Sequence, residues 1–326
     1  MRVVQFNEFG GIGALRLEDA AAPSPGVGEI LIRVTAVGLN FFDTLMLRDK
    51  YQFSPKLPFS PGGEIAGVIE ALGEGVTGLE VGQRVAAFIG GNGCRELIVT
   101  PAKNAVPIPD GVSDEAAAGI IITHGTALHA FKDRAALKAG ESVAVLGAAG
   151  GAGVAAVELA KLMGARVIAV ASSEEKLAFA KRHGADEGID YNEADLKQTL
   201  KDLTKPNGVD VVYDCVGGDA AEPSLRATAW EGRYLVIGFA SGKIPRIPLN
   251  LVLLKGCEIV GVFWTAFAER EPDKHRANTA QLFAWVRDGK LSPHIHATFP
   301  LAETATALSL IENRKVTGKV IVNPQS

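Results

Sequence analysis

Two patterns of apolar and polar residues follow one another along this chain of 326 residues. In the first third, short apolar runs are separated by glycine and proline, which is typical of β-strands joined by turns. The runs predict strands at residues 2–6, 14–18, 29–39, 64–72, 84–88 and 95–99. Their close spacing predicts a small β-barrel-like domain.

After residue 110 the pattern changes to helices and then to alternating strands and helices. The stretch 141–173 predicts strand, glycine turn, helix and strand, which together form a βαβ unit. The alternation continues with predicted helices at 174–183, 194–203 and 219–229, and with predicted strands at 187–190, 209–213, 232–238 and 258–262. About six strands with helices between them indicate a doubly wound parallel sheet in an α/β protein.

The last part of the chain does not extend this alternation. Residues 269–288 predict one long amphipathic helix, and residues 295–322 predict strand, helix and strand. We assign this end to the first domain, so that the doubly wound domain is an insertion. The expected domains are therefore 1–121 together with 263–326, and 122–262.

The turn inside the βαβ unit is crowded with glycine. Gly147, Gly150 and Gly153 form a GxxGxxG pattern in place of the usual GxGxxG. Glycines let backbone N–H groups and a helix N-terminus approach a pyrophosphate, and a further glycine lets helix and strand pack closely. A plain tight turn also uses glycine, but the position between two strands and at the start of a helix favours dinucleotide binding.

The residues after the second strand of this unit distinguish between the two nicotinamide dinucleotides. An NAD site normally has Asp or Glu at the end of that strand, whereas Ser172 and Ser173 follow it here. Glu174 and Glu175 come next and are first-turn helix residues favoured by the helix dipole. Ser172, Ser173 and Lys176 offer donors and a positive charge to a 2′-phosphate, and the alternative role of Ser173 is to cap the helix. The sequence therefore favours NADPH.

Composition and charge exclude several classes of protein. A hydrophobic content of 47% with 21% charged residues is that of an ordinary globular protein. A net charge of −4 argues against a nucleic acid or an anionic membrane as partner. Three widely spaced cysteines, Cys94, Cys215 and Cys257, argue against a disulfide framework. We find no apolar signal core and no run of membrane-spanning length, and we expect a cytoplasmic protein.

Several segments occur in the order found in one known family. They are RVTAVGLNFFD (33–43), PGGEIAGVIEALGEGVTGLEVGQRV (61–85), ITHGTALHAF (122–131), LGAAGGAG (146–153), DVVYDCVGG (210–218) and TGKVIV (317–322). Together they resemble the zinc-independent quinone oxidoreductase (zeta-crystallin-like) branch of the medium-chain dehydrogenase/reductase superfamily. The resemblance implies a GroES-like β-barrel catalytic domain built from both chain ends, a Rossmann NADPH-binding domain between them, and a homodimer.

Departures from the zinc-dependent members of this superfamily predict that no metal is bound. Alcohol dehydrogenases of this fold hold a catalytic zinc with Cys and His among its ligands. The equivalent of the first Cys is Asn40, and the His of the usual GHE motif is replaced by Gly63. Glu64 remains, but a single carboxylate does not hold zinc. The cysteine cluster of the structural zinc is also absent, because Cys94 stands alone there.

The resemblance also implies the residues of the active site. It places Asn40, Asp43, Tyr51 and Thr126 around the nicotinamide, and we name the first three as candidate catalytic residues. Tyr51 is expected to form a hydrogen bond with the nicotinamide ribose or to donate a proton to the product. Asp43 is expected to order its loop. The other implied cofactor residues line the pyrophosphate (Ala149, Gly150, Gly151, Ala152), the 2′-phosphate end (Ser172, Lys176, Tyr191) and the path between adenine and nicotinamide (Val216, Ile237, Phe239, Phe263). Lys319 either reaches the pyrophosphate or is a surface lysine.

The histidines give a weaker signal. His124 precedes a segment expected to line the cofactor cleft, but a packed or surface histidine explains it as well. The other histidines outside this segment are expected to face solvent, and they are His183, His275, His294 and His296. No Ser/His/Asp or Cys/His catalytic set is supported.

The missing zinc ligands disfavour alcohol oxidation, because no Lewis acid would stabilise an alkoxide. The leading hypothesis is hydride transfer from NADPH to a small electrophilic acceptor, a quinone. An alternative is a reductase of α,β-unsaturated carbonyls or enoyl-CoA thioesters. It would need a basic patch for the CoA phosphates, with the candidates Lys50, Lys56, Arg270, Lys274, His275 and Arg276. A third hypothesis is a non-catalytic NADPH-binding structural protein.

Overall fold

In the computed structural model, which describes all residues Met1–Ser326, the chain divides into two units. The first unit is formed by Met1–Ile122 and Thr265–Ser326, and the second by Thr123–Trp264. The boundaries expected from the sequence, after residues 121 and 262, lie close to these limits. The assignment of cofactor binding to the second unit stays a prediction.

The chain forms fifteen β-strands and eleven α-helices. The strands are β1 (Arg2–Gln5), β2 (Arg16–Asp19), β3 (Glu29–Leu39), β4 (Glu64–Leu72), β5 (Arg84–Phe88), β6 (Leu97–Pro101), β7 (Ala105–Pro107), β8 (Ser142–Leu146), β9 (Arg166–Ala171), β10 (Glu187–Asp190), β11 (Val209–Asp214), β12 (Thr228–Val236), β13 (Glu258–Gly261), β14 (Ile295–Pro300) and β15 (Lys319–Asn323). The helices are α1 (Phe41–Met46), α2 (Asp114–Ile120), α3 (Thr123–Leu128), α4 (Gly151–Leu162), α5 (Glu174–Arg182), α6 (Leu196–Leu203), α7 (Ala221–Ala227), α8 (Leu249–Lys255), α9 (Trp264–Arg270), α10 (Pro272–Arg287) and α11 (Thr304–Glu312). None of the helices combines the length and the apolar character that a membrane span requires.

The first unit is built on a seven-stranded sheet and a small hairpin of β1 and β2. The sheet has the order β14-β15-β3-β4-β5-β7, and β6 pairs with β3 off this path. Along β3, Ile30, Ile32 and Val34 are fully buried, as the two-residue period of a strand with one face in the core requires. Because β15 pairs antiparallel with β3, the end of the chain returns to the first sheet.

The second unit contains a six-stranded sheet with the order β10-β9-β8-β11-β12-β13. All neighbouring strands are parallel. The central strand β8 is buried at every position, which explains its uninterrupted apolar sequence. The predicted doubly wound parallel sheet is confirmed, and its strand order reverses between β8 and β11. Ligands bind such sheets at the carboxyl ends of the strands beside this reversal.

Several element boundaries differ from the sequence-based prediction. The helix expected at 269–288 is α10, which begins a few residues later because Pro272 has no N–H to donate and stands at its start. The helix expected at 219–229 ends earlier, and the β-branched Thr228 already begins β12. Helices α1, α8 and α9 and strand β7, which are all short, were not predicted from the sequence pattern.

Candidate functional site

The glycine turn between β8 and α4 allows a close approach that side chains would block. Gly147 has a φ of +73°, and a Cβ there would lie 2.8 Å from Val216 Cγ2. A Cβ on Gly153 would lie 2.0 Å from the carbonyl oxygen of Gly147, so only glycine lets α4 begin this close to the turn. Gly150 is the N-cap, and no side chain caps the helix. The first N–H groups of α4 therefore have no partner in the helix and suit an anion.

Lys176 and Ser172 meet at the carboxyl end of β9. Lys176 Nζ donates to Ser172 Oγ over 3.1 Å, and Ser173 Oγ accepts from the backbone N–H of Lys176, which caps α5. Tyr191 follows the neighbouring strand β10, is 41% exposed, and donates its N–H to the carbonyl of Ala171. The structure thus brings together the three residues predicted for the 2′-phosphate end.

The surroundings of this pair differ from those of an NAD site. Glu174 and Glu175 are exposed in the first turn of α5, so no carboxylate terminates β9 itself. Asn192, which the sequence analysis missed, donates from Nδ2 to the carbonyl of Ser172 over 3.0 Å. Its position directly after β10, at the same edge of the parallel sheet, is the signal that would have identified it.

Four apolar residues predicted to flank the cofactor follow the next three strands of the sheet. Val216 follows β11, Ile237 and Phe239 follow β12, and Phe263 follows β13. Because the strands are parallel, all four lie at the carboxyl edge of the sheet. Phe263 is 55% exposed, whereas the other three are half-buried.

Asp214 holds the loop after β11, a role that the sequence analysis missed. Its Oδ1 accepts from the N–H groups of Val216 and Gly217, each over 2.8 Å. Its Oδ2 accepts from the hydroxyl of Tyr234 over 2.5 Å. Burial, followed by the neighbouring Asp214, raises the pKa of Tyr234 well above its usual range, so the hydroxyl keeps its proton. The buried carboxylate fixes the backbone that presents Val216.

In the first unit, Asn40 is held by a buried ion pair. Lys319 Nζ lies 2.6 Å from Glu64 Oε1 and donates to Asn40 Oδ1 and to the carbonyl of Leu39, each over 2.7 Å. Asn40 Nδ2 donates to Glu64 Oε1 over 2.9 Å. Lys319 is 4% exposed and Glu64 is fully buried. An ammonium has three N–H groups, so none of those of Lys319 is left for a pyrophosphate oxygen. The alternative of a surface lysine is wrong, because the residue is buried.

Asp43 connects the start of α1 to the loop before β4. Its Oδ2 accepts from the N–H of Asn40 over 2.8 Å, and its Oδ1 accepts from the N–H of Gly62 over 2.9 Å. Complete burial raises the pKa of Asp43 to about 6, against the lowering effect of these two hydrogen bonds. These are the contacts of a residue that orders its loop.

Tyr51 packs against two aromatic rings and keeps a polar contact. Its ring centroid lies 5.4 Å from that of Phe42 and 5.1 Å from that of Phe53. Burial raises the pKa of Tyr51, although a hydrogen bond with Thr265 opposes the shift. The hydroxyl is therefore protonated at neutral pH and can act as a donor. Thr265 was missed because it is more than two hundred residues away in the sequence.

Family models match most of both units. The model of the alcohol dehydrogenase GroES-like domain matches residues 26–110, and the model described as zinc-binding dehydrogenase matches residues 151–280. A quinone oxidoreductase-like protein 2 homolog from Nematostella vectensis is 39% identical to this chain, over 99% of the chain and 88% of the relative. The chain belongs to the quinone oxidoreductase branch of the medium-chain dehydrogenase/reductase superfamily.

Solved structures of this superfamily have the same fold over the full chain. A quinone oxidoreductase from Pseudomonas syringae pv. Tomato DC3000 is 33% identical, with a TM-score of 0.92 and 99% of both chains covered. The Escherichia coli quinone oxidoreductase complexed with NADPH is 27% identical, also with a TM-score of 0.92, and covers 99% of this chain and 100% of its own. The predicted fold class, a GroES-like domain with a Rossmann-like parallel sheet, is confirmed.

This medium-chain reductase places its histidines differently from the sequence-based expectation. His275 is 7% exposed, and burial lowers its pKa to about 4. His183 and His294 are half-buried, and only His296 is exposed. The expected exposure of His275 is therefore wrong, because the residue lies on the buried face of α10. His124 is also buried, on the same helix as the half-buried Thr126.

Neighbouring carboxylates reduce the positive charge of the basic patch predicted for acyl-CoA binding. Lys274 lies 3.7 Å from a carboxylate oxygen of Glu271, and Arg276 lies 3.2 Å from one of Asp273. Because these ion pairs are exposed, they reduce the local positive charge without contributing much stability. The buried His275 adds no charge to the patch.

No group of three His, Cys, Asp or Glu side chains in this reductase is arranged to hold a metal ion. At the position of the first zinc ligand, the amide of Asn40 contacts the ammonium of Lys319. The zinc-independent character predicted from the sequence stays a prediction, and the assay below tests it.

Proposed function

We propose that this protein is an NADPH-dependent oxidoreductase that transfers hydride to a quinone. The observation that supports it most is the Lys176–Ser172 pair at the end of β9, on the same sheet edge as the uncapped N-terminus of α4. A cation in place of the carboxylate of an NAD site suits a 2′-phosphate. The Escherichia coli relative was solved with NADPH, and its name and that of the Pseudomonas relative state quinone oxidoreductase activity.

The residues at this edge fit the parts of the cofactor. The first turn of α4 offers backbone N–H groups to the pyrophosphate, next to the predicted residues Ala149, Gly150, Gly151 and Ala152. Lys176 and Ser172 suit the 2′-phosphate, with Tyr191 and Asn192 beside them. The apolar residues after β11, β12 and β13 suit the rings. When bound, the cofactor supplies the hydride, and the protein supplies orientation and exclusion of water.

In this proposal, Tyr51 is the residue of the first unit that acts on a proton. A quinone that accepts a hydride also takes up a proton, and the protonated hydroxyl of Tyr51 is a suitable donor. Asn40 and Asp43 position the start of α1, because their polar atoms already have partners inside the unit. Lys319 holds Asn40 through its Oδ1 atom and does not bind phosphate.

The same hydride chemistry would serve an enone or an enoyl-CoA thioester. The paired charges around α10 give little support to a CoA site.

The deciding experiment offers a simple quinone and a short enoyl-CoA in parallel to metal-stripped protein, with NADPH or NADH. We expect fast NADPH oxidation with the quinone and no effect of added zinc. A preference for the enoyl-CoA would assign the protein to the alternative class, and activity restored by zinc would refute zinc independence. NADPH binding without turnover of either acceptor would favour the non-catalytic role.

The homodimer belongs to the same proposal, and β13 supports it. This strand is the last of its sheet and has no neighbour on its outer edge, and open edges readily pair with another chain. The preceding helix α8 exposes Leu249, Leu253 and Leu254 by 72–80%, which is typical of an interaction surface. Light scattering should give twice the chain mass, and the mass should be halved by Leu253→Glu. A wild-type monomer would contradict the dimer.

We also propose the cytoplasmic location predicted from the sequence, which cell fractionation tests.

A further inference from the structure

One buried carboxylate connects three helices of the second unit. Glu158 lies on α4 and is 9% exposed. Its Oε2 lies 3.0 Å from His124 Nε2 on α3, and its Oε1 lies 2.7 Å from His183 Nδ1. His183 is the C-cap residue of α5. Both carboxylate oxygens of Glu158 are thus used to join α4 to its two neighbours.

The hydrogen bonds of this group are mutually consistent. An ionised carboxylate only accepts, so each histidine nitrogen that faces Glu158 carries a hydrogen. The other ring nitrogen of His124, Nδ1, lies 3.2 Å from the hydroxyl of Thr123, which can either donate or accept. Burial opposes the ionisation of Glu158, but the hydrogen bonds and charges of His124 and His183 hold its pKa below the ordinary value.

The three connected helices are those that bear the three parts of the proposed cofactor site. Helix α3 bears Thr126, α4 begins at the glycine turn, and α5 bears Lys176 in its first turn. Helix α3 also packs against Trp264. Gly125 lies so close to the indole that a Cβ at this position would be 3.1 Å from the ring. The contacts of Glu158 thus connect the helices that bear these three parts.

We propose that Glu158, with His124 and His183, is a positioning centre that fixes the relative placement of the three parts of the dinucleotide site. None of the three residues touches the cofactor in this proposal, which rests on the proposed function. A buried ion pair adds little net stability compared with apolar residues of the same volume, and its attested use is to select one arrangement. The other buried side chains of α4 are apolar, for example Ala155, Val157 and Leu159. Apolar contacts alone specify the helix spacing less sharply than hydrogen bonds of 2.7 and 3.0 Å.

The test compares coenzyme affinity in variants of Glu158. Glu158→Leu should weaken NADPH and NADH alike by about tenfold, because small displacements far from the chemistry are costly, and KM for the quinone should change little. Glu158→Gln should restore both affinities, since its amide oxygen accepts from one histidine and its NH2 group donates to the other once that neutral imidazole takes the opposite tautomer. Lys161→Ala is the matched control: it breaks an exposed ion pair with Asp186 near the end of the same helix and should change neither affinity.

The two histidines give a second, more selective readout. His183 positions only α5, whose Lys176 contacts the 2′-phosphate that NADH lacks. His183→Leu should therefore lower the affinity for NADPH by about threefold, which is a fraction of one charge-assisted contact, and leave the affinity for NADH unchanged. His124→Phe should lower the affinity for both coenzymes. A merely structural role would not separate the two coenzymes in this way. These variants also carry the test if Glu158→Leu does not fold.

Two results would overturn the inference. One is a folded Glu158→Leu protein with wild-type affinity for both coenzymes. The other is an equal loss of both coenzymes in His183→Leu. A wild-type protein that binds neither coenzyme would instead refute the proposed function, and this inference with it, so the two failures are distinguishable.

Discussion

Lys176 Nζ donates to Ser172 Oγ over 3.1 Å, and Ser172 stands where an NAD site normally has a carboxylate. The two side chains lie at the carboxyl end of β9, and the backbone carbonyl of Ser172 also accepts from Asn192. Ser172 is thus fixed from two sides, and the ammonium of Lys176 is held at the strand end. In the proposed function, this arrangement sets the preference for NADPH.

The coenzyme preference should change when a carboxylate is introduced at position 172. In Ser172→Asp, the new charge repels a 2′-phosphate and accepts from a ribose 2′-hydroxyl, so NADPH should bind at least about tenfold more weakly and NADH more tightly. Fluorescence titration with each coenzyme measures both constants. Ser172→Ala is the control, since it removes the hydroxyl without adding charge and should cost NADPH much less. Equal losses for both coenzymes in Ser172→Asp would contradict the assignment.

Substitution by alanine should have different effects on stability at Gly153 and at Gly150. Gly153→Ala places a Cβ 2.0 Å from the carbonyl oxygen of Gly147, so α4 must shift, at a cost of about 1–3 kcal/mol. At Gly150 a Cβ would lie 3.6 Å from its nearest neighbour, the carbonyl oxygen of Gly147, and φ is −74°. Gly150→Ala should therefore leave the free energy of unfolding nearly unchanged but weaken coenzyme binding. Urea unfolding and coenzyme titration separate the two effects, and a Gly153→Ala protein of full stability would refute the packing argument.

The titration of the Asp43 carboxyl should lower the free energy of unfolding as the pH rises through the mildly acidic range. Its pKa is about 6 in the folded protein against 3.8 unfolded, so the folded state binds the proton more tightly. The contribution is fully present below about pH 4 and is lost by pH 6, and it amounts to about 3 kcal/mol at 1.36 kcal/mol per pKa unit. Asp43→Asn lacks this titration. Urea unfolding from pH 4 to 7 should show the wild type losing stability relative to Asp43→Asn, and parallel curves would contradict the prediction.

Removing the buried ammonium of Lys319 should destabilise the first unit without altering the coenzyme site. Lys319→Met leaves Glu64 buried and uncompensated, which costs about 3–5 kcal/mol. Adding Glu64→Gln removes that charge and should recover part of the loss. The NADPH affinity of the folded fraction should match that of the wild type. A selective loss of NADPH binding at unchanged stability would show instead that Lys319 reaches the cofactor.

The sequence predicted the parts of this protein that depend on local pattern. The bounds of β3, β4 and β5 were predicted correctly, because buried strands between glycines have a clear period. The Lys319–Asn40 contact was not predictable, because it joins residues 279 positions apart. The same holds for the group around Glu158, since helix periodicity shows that a residue is buried but not which partner it meets. The burial of His275 was missed because α10 has a mixed composition on its buried face.

The most direct test of the account is the affinity of Lys176→Ala for the two coenzymes. We predict that NADPH binds about tenfold more weakly, which is the loss of one charge-assisted contact at a partly exposed site, and that NADH binds as in the wild type. Lys181→Ala, on the same helix and exposed, should change neither constant. Equal loss of both coenzymes, or no loss of either, would contradict the placement of the 2′-phosphate at the end of β9.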